Sequence, residues 1–459
     1  MSLKQFTIDF QELRKDSFLR NDEKYHIFLN FLNWNLFESK NKNLVSLKDI
    51  LVDDYNLFNY EEGEEYKGIP TGQTYLDKDG EIKGHQSVTA EDHPNRLKHK
   101  ASNDNILISS LRLAKSPTLY FKNKDLSNYV FSNGFYIYKI KKGWNIKFIL
   151  YILRTKRLRN ILDKHIYRGI GISAYKDSDL KKIKIPLISK HIQDQIVVKI
   201  EPIERKIKEM KNQIIPAQKI INKVFAREFG FDLEKFEELE KENFFEAGFS
   251  EINNDPLLIF KVKYHKYNID FLEKIKTIKL KKISDFIKAG NAEKYKEVAE
   301  EGNYISVEDL NSDGGIMSYK FSNSKNAILK IRDILFSRVG SKLDSADIPI
   351  GIIKNDFQKF ASDNILIIRL SRFNNDFVMY FLKSVFGNKQ IRKVVKTKGQ
   401  PVINSTTLGN IKIPNIPLKN QQKIVDEIKT ELDKQEKMNQ KIETERNKID
   451  EIIEKVVAV

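Results

Sequence analysis

The sequence contains no cysteine. Disulfides, thiolate nucleophiles and cysteine-ligated zinc are thereby excluded. No run of 18 uninterrupted apolar residues occurs, so no membrane-spanning helix is expected. The opening MSLKQFTIDFQELRKDSF lacks the apolar core of a secretion signal, and a cytoplasmic protein is expected. No GxxxxGK[ST] phosphate loop is present, and the G-x-G of RGIGIS (168–173) lacks the strand–loop–helix frame of a nucleotide fingerprint. His85, His93 and His99 with Asp92 match no standard metal-ligand spacing, so no metal is expected.

Negative charge is also in short supply: 63 Asp and Glu stand against 80 Lys and Arg, a net +17. An excess of that size suits a polyanionic partner, for which nucleic acid is the usual candidate. The competing reading is a lysine-rich composition with no such partner. What the chain has in abundance is apolar material, 40% of its residues with 29 Phe and 18 Tyr, enough for real cores. At 459 residues, two or three domains are expected.

The organising feature is a repeat. IKIPLISKHIQDQIV (Ile183 to Val197) returns as IKIPNIPLKNQQKIV (Ile411 to Val425), shifted by 228 residues. Asn105 to Ser109 matches Asp333 to Ser337, and Gly171 matches Gly399, at the same shift. Leu76 to Gly80 matches Leu310 to Gly314 at 234, and Phe148 and Tyr151 match Phe377 and Tyr380 at 229. Leu44, Leu47 and Asp49 match Leu280, Ile283 and Asp285 at 236. Six segments in one order are a duplication, in which each half is a variable domain, an Ile-Pro hinge and a long helix.

Within the domains, NILISSL and FYIYKI read as strands. The aromatics of FYIYKI are assigned to the core, because alternation already accounts for them. A helix is expected over Ile146–Leu162, with Phe377–Phe386 in its place in the second copy. After the hinges, Ile192, Ile196, Ile200, Ile203, Ile207, Met210 and Ile214 form a seam of heptad type. Ile424, Ile428, Leu432, Met438, Ile442, Ile449 and Ile452 form the second, interrupted by Gln435 and Glu445. Each helix covers about 40 residues, about 60 Å. Pro202 and Pro216 fall inside the first, so kinks or a break near Pro216 are expected.

The fold class expected is α+β: two mixed α/β domains joined by two long helices packed as an antiparallel coiled coil, pseudo-two-fold symmetric. The boundaries read as 1–186, first domain; 187–230, first long helix; 231–255, acidic linker; 256–414, second domain; 415–459, second long helix. The helix interface is assigned to Ile196, Ile200, Ile207, Met210, Ile214, Ile424, Ile428, Met438, Ile442 and Ile449.

Domain, "IxIPxxxxxxQ…IV" hinge, long helix, and all three again: this order resembles the specificity (S) subunit of type I restriction–modification systems, over nearly the whole chain. The first hinge departs from the family by reading Lys190-His191-Ile192-Gln193 where a Glu-Gln pair is common; the second has Gln421-Gln422. The resemblance implies two target-recognition domains, each reading one half of a bipartite site on double-stranded DNA, asymmetric because the domains differ. It implies helices that fix the half-site separation and dock two methyltransferase (M) subunits, with restriction (R) subunits joining the larger complex. The chain itself is expected to be no enzyme and to hold no cofactor; S-adenosylmethionine, ATP and Mg would sit on partner subunits. Asn254-Asp255-Pro256-Leu257 is the nearest approach to the Asp/Asn-Pro-Pro-aromatic loop of amino-methyltransferases and lacks its second proline and its aromatic. A DNA-cleaving or methylating enzyme with an unrecognised catalytic domain, and a coiled-coil adaptor, are the alternatives.

Phosphate contacts need Lys and Arg, and base edges are read by Arg, Asn and Gln. Candidate DNA contacts in the first domain are Arg96, Lys98 and Lys100 in HPNRLKHK (93–100), Arg112 and Lys115 in SSLRLAKS (109–116), and Arg168 and Gly171 in RGIGIS. In the second they are Arg338 and Lys342 in SRVGSK (337–342), and Lys396, Lys398, Gly399 and Gln400 in KTKGQP (396–401). GNAEKYK (290–296) is a further candidate loop.

Overall fold

The computed structural model describes residues 43–72, 74–77, 79–111, 118–164, 175–234, 238, 275–290, 303–307, 310, 320–321, 329–345, 347–354, 359–395 and 400–457. Two compact units emerge, one of Met1–Asn212 with Lys441–Val459 and one of Gln213–Gln440. The longer helices are α1 (Ile146–Arg154), α2 (Lys156–Lys164), α3 (Lys190–Asn212), α4 (Ala217–Phe229), α5 (Asn375–Lys383), α6 (Val385–Val394) and α7 (Leu418–Val457). No described helix is long and apolar enough to cross a membrane.

Each unit is built on a four-stranded antiparallel sheet. In the first its spatial order is Leu51–Asp53, Phe135–Ile140, Ile106–Ser109, Leu119–Tyr120; in the second, Ser284–Ala289, Ile365–Leu370, Ile334–Ser337, Ile350–Ile352. NILISSL and FYIYKI are strands, as their composition predicts. Strand side chains alternate between faces, and here both faces are covered. Ile106, Ile108 and Tyr138 enter one core, while Leu107, Phe135 and Ile137 enter another. Ile334, Phe336 and Ile368 are likewise divided from Leu335, Ile365 and Ile367. Two-sided burial is why the strands Ile106–Ser109 and Ile334–Ser337 carry no charged residue. A second sheet flanks each: five strands in the first unit, three in the second, both with one parallel pairing.

The hinges are strands as well. Lys184–Pro186 pairs antiparallel with Leu44–Ser46, and Lys412–Pro414 with Thr277–Lys279. The Ile-Pro motif therefore ties the exit of each domain to its entry.

The helix expected over Ile146–Leu162 is two helices. Thr155 is extended (ψ 144°), and its hydroxyl donates to the Ile152 carbonyl while accepting the Leu158 N–H. Ser384, 229 residues on, makes the same corner with Phe381 and Gly387. A hydroxyl side chain replaces the lost backbone bonds, which apolar periodicity does not register.

The first long helix tolerates Pro202 but breaks before Pro216: α3 ends at Asn212 and α4 begins at Ala217. The N–H of Ile215 freed by this break donates to the Gln435 side chain at 2.9 Å. Glu445, the other interruption of the second seam, is buried and accepts Lys206 at 2.7 Å and Lys448 at 2.9 Å. The residues that spoil the heptad are those that satisfy polar groups.

Within each unit two helices pair antiparallel. In the first, Lys206 of α3 meets Glu445 of α7, and Ile196 and Ile200 share a core with Ile453. In the second, Arg227 of α4 forks onto Glu427 of α7 at 2.7 and 2.5 Å. The seams do not serve helix pairing alone. Ile196 and Ile200 belong to the first domain's core with Phe148, and Ile424 and Ile428 to the second's with Phe377. Ile207 and Ile442 are buried; Met210, Ile214, Met438 and Ile449 are half-buried. Ile192 departs from the seam and stands 38% exposed.

Charge distinguishes one equivalent domain–helix contact in the two units. Lys147 of α1 pairs with Glu201 of α3 at 2.6 Å, whereas Asp376 of α5 pairs with Lys429 of α7 at 3.0 Å. The equivalent pairs have opposite polarity, so exchanged docking would oppose like charges. Of the expected acidic linker, residues 231–234 and 238 are described, and Phe231 and Leu233 pack on the second unit's core.

Candidate nucleic-acid interface

The strand Ile106–Ser109 runs into the first candidate loop, and Ile334–Ser337 into its counterpart. Ser110 donates its N–H to the Gly134 carbonyl at 2.8 Å and accepts the Tyr175 N–H at 3.0 Å. Arg338 donates to the Asn364 carbonyl at 2.8 Å and accepts the Ile403 N–H at 3.0 Å. Ser110 and Arg338, and Tyr175 and Ile403, are each 228 apart. One junction has therefore been built twice.

In the first unit, the turn between Tyr129–Ser132 and Phe135–Ile140 holds described residues that belong to or border the candidate loops. Asn133 donates to the Arg96 carbonyl at 2.7 Å; Gly134 holds Ser110; and Ser110 holds Tyr175, which follows the 168–173 loop. In the second unit, the turn at Ser362–Asn364 does the same. The Arg338 guanidinium donates to the Asp363 carbonyl at 3.3 Å. Gly290, at the head of the 290–296 loop, donates to Ile365 at 2.9 Å. A Cβ on Gly290 would stand 2.3 Å from two carbonyl oxygens, so only glycine allows this approach. Gly340, at φ +119°, donates to the Pro401 carbonyl at 3.0 Å, and Val339 bridges Val402. Val339 and Gly340 are thus neighbours of Pro401 and Val402, about 60 residues further along the chain.

Lys342 and Gln400 are exposed, and Arg338 is half-buried. Arg96 is exposed beside the turn. Lys98 and Lys100 point outward from the strand Leu97–Lys100, whose Leu97 faces the core. The latter half of HPNRLKHK is therefore strand rather than loop. His93 pins the preceding turn, its Nδ1 facing the Thr89 and Ala90 carbonyls while its ring stacks on Tyr60. Arg112, Lys115, Arg168, Gly171, Lys396, Lys398 and Gly399 lie outside the described residues.

A buried glutamine sets each domain on its helix. The Gln193 carbonyl oxygen accepts the Asn145 N–H at 2.7 Å, and its amide donates to the Ile188 carbonyl at 3.0 Å. Gln421 does the same with Asn374 at 2.9 Å and Ile416 at 2.8 Å. Both glutamines are 1% exposed. Asn145 and Asn374 in turn cap α1 and α5. Gln193 thus fills the role of Gln421 despite the altered residues before it. Sequence reading missed this use, although the shift of 229 between Asn145 and Asn374 was available to reveal it.

In the first unit, Asp79 joins the domain to both helices. Arg446 of α7 grips it at 3.0 and 2.6 Å, and Lys211 of α3 pairs with both Asp77 and Asp79. Burial opposes ionisation of Asp79, but the bonds from Arg446 and Lys211 outweigh it and hold the carboxyl at about 2, against an ordinary 3.8. A depressed folded-state pKa stabilises above the unfolded value and ceases to do so as pH falls through the folded one. The first unit should therefore lose stability between about pH 4 and pH 2. Acid titration of wild type and Asp79→Asn, followed by circular dichroism, checks this: the variant should be weaker at pH 7 and flatter across that window.

Residues 272–447 match the family described as the type I restriction modification DNA specificity domain. The type I restriction enzyme MjaVIII specificity subunit of Methanocaldococcus jannaschii is 26% identical over 296 residues, 61% of this chain. The match spans 63% of that relative's length. Among solved structures, the HsdS subunit of Thermoanaerobacter tengcongensis aligns over 91% of this chain and 96% of its own, at 14% identity and a TM-score of 0.35. The S subunit of a type I restriction–modification system from M. genitalium aligns over 91% and 98%, at 14% identity and a TM-score of 0.39.

Proposed function

We infer that this chain, whose residues 272–447 are a type I restriction modification DNA specificity domain, is the DNA specificity subunit of a type I restriction–modification complex. Each unit reads one half of a bipartite, asymmetric site on double-stranded DNA. The long helices set the separation of the halves and receive two methyltransferase subunits, with restriction subunits joining the larger assembly. The chain chooses the site and leaves chemistry to its partners. S-adenosylmethionine, ATP and Mg belong to those partners, and the flipped adenine enters the methyltransferase pocket.

The observation that carries this reading is the loop junction made twice. In both units the residue that follows the central strand is bonded, at equivalent backbone positions, to a sheet turn and to a residue just beyond a second candidate loop: Ser110 to Gly134 and Tyr175, Arg338 to Asn364 and Ile403. The frame is repeated while the loop sequences differ, as two readers of two different half-sites require. Phosphate contacts from such loops supply affinity and their base-edge contacts supply sequence.

The test is binding of a split duplex site by the chain together with its methyltransferase, at graded salt. Affinity should fall steeply as salt rises, because each neutralised phosphate releases a counterion. The combined variant Arg338→Ala, Lys342→Ala, Gln400→Ala should lower affinity by about 10-fold or more and relax preference at one half-site only. A salt-independent affinity, or a variant that binds like wild type, would exclude these loops as the reader.

A further inference from the structure

The two units share a groove in the same place, and it has diverged. In the first unit it lies among α1, α3 and the end of α7 and encloses about 700 Å³. In the second it lies among α5, the start of α7 and residues 214–217, and encloses about 740 Å³. Leu150 and Tyr151 of the first correspond to Met379 and Tyr380 of the second. The second groove is lined by three basic and three acidic residues together with isoleucines. The first is lined by nine basic and six acidic residues. Its size is that of a small-molecule site.

Most of the first groove's charges are matched. Arg446 and Lys211 hold Asp79, and Lys147 holds Glu201. Arg154 donates twice to the Thr118 carbonyl and faces Glu204 at 3.8 Å. Arg159 is different. Among the described residues its guanidinium has no hydrogen bond and no ion pair, although it is largely covered. Burial and the neighbouring Arg154 weigh against its charge, while Asp450 and Asp79 favour it from a distance without a bond to it. Asp450 shares the groove, but Lys156 dominates its electrostatic surroundings ahead of Arg159. A covered, unpaired guanidinium is costly, and its five donors match phosphate oxygens. The second unit has Asn388 at the equivalent position, hydrogen-bonded to the Ser345 carbonyl at 3.0 Å. The repeated scaffold therefore does not itself demand an arginine there.

We propose that the groove of the first unit binds a small phosphate-bearing ligand of nucleotide size, with its phosphate on Arg159 and its body over Tyr120, Leu150, Ile207 and Ile449. Lys122 and Arg205 stand at the rim without ion pairs among the described residues and add to the attraction. The six carboxylates argue against a nucleic-acid strand, whose successive phosphates would meet them, and favour one compact anionic group. The site is separate from the DNA reading and stands or falls without it.

The experiment is calorimetric titration of the full chain with AMP, inorganic phosphate and pyrophosphate. AMP should saturate one site below about 10 mM and bind more tightly than inorganic phosphate. Arg159→Gln should weaken it at least about 10-fold and Lys122→Gln less, while Arg159→Lys keeps part of the affinity. Circular dichroism checks that each variant is folded. Unchanged AMP affinity in a folded Arg159→Gln, or no saturation by any probe, overturns the site. Inorganic phosphate binding as tightly as AMP overturns the nucleotide size. Displacement of AMP by a DNA duplex in an Arg159-dependent way overturns the small-ligand class.

Discussion

Replacing Arg369 by methionine is expected to destabilise the second unit by about 3 kcal/mol or more, because it leaves a buried carboxylate without its cation. Asp333 is 1% exposed and receives the Arg369 guanidinium at 2.7 and 2.6 Å. Its remaining bond, from the Lys330 N–H at 2.8 Å, closes a tight turn. The first unit makes that turn with a neutral residue: Asn105 accepts the Ser102 N–H at 2.7 Å. The double variant Asp333→Asn, Arg369→Met should therefore recover most of the loss, since an asparagine keeps the turn and needs no counter-charge. Denaturant unfolding of the two variants measures the difference. A cost below about 1 kcal/mol for Arg369→Met would mean that water reaches Asp333 well enough to replace the arginine.

The second large effect is expected at the glutamine clamp. Gln421→Leu keeps the bulk but takes the partner from the Asn374 N–H and the Ile416 carbonyl, both on half-buried residues. At about 1–3 kcal/mol for each orphaned group, the loss is at most about 2–6 kcal/mol. A folded domain holds about 5–15 kcal/mol in total, so the second unit should unfold well before the first. Gln193→Leu should reverse that order, because the same two bonds fail in the other unit. Two resolved unfolding transitions, exchanging order between the variants, are the predicted signature. If each domain reads a half-site, loosening its seat should also broaden the gap tolerated between half-sites while leaving each half-site sequence unchanged. A single unaltered transition in both variants would show that the clamp contributes little.

The resemblance drawn from the repeated hinge agrees with the family match over 272–447. The strands, the corner before Pro216 and the antiparallel sense of the helices within each unit were also readable. The single helix over Ile146–Leu162 was not, because Thr155 turns the chain without disturbing the apolar spacing. Nor was the exposure of Ile192, since a heptad count records the residue type and not which neighbours arrive to cover it.

By itself the sequence determined the duplication, the strands NILISSL and FYIYKI and the hinge-to-helix order. These are written in local periodicity and in repeats, and hydrophobic burial follows periodicity wherever the chain folds. Only the tertiary structure decided which polar groups meet. Ser110 finds Tyr175, Gly340 finds Pro401, Gln421 finds Asn374, and Arg159 finds no partner among the described residues. Such pairings join positions tens of residues apart, and each depends on a geometry of a few tenths of an ångström that the order of residues does not display.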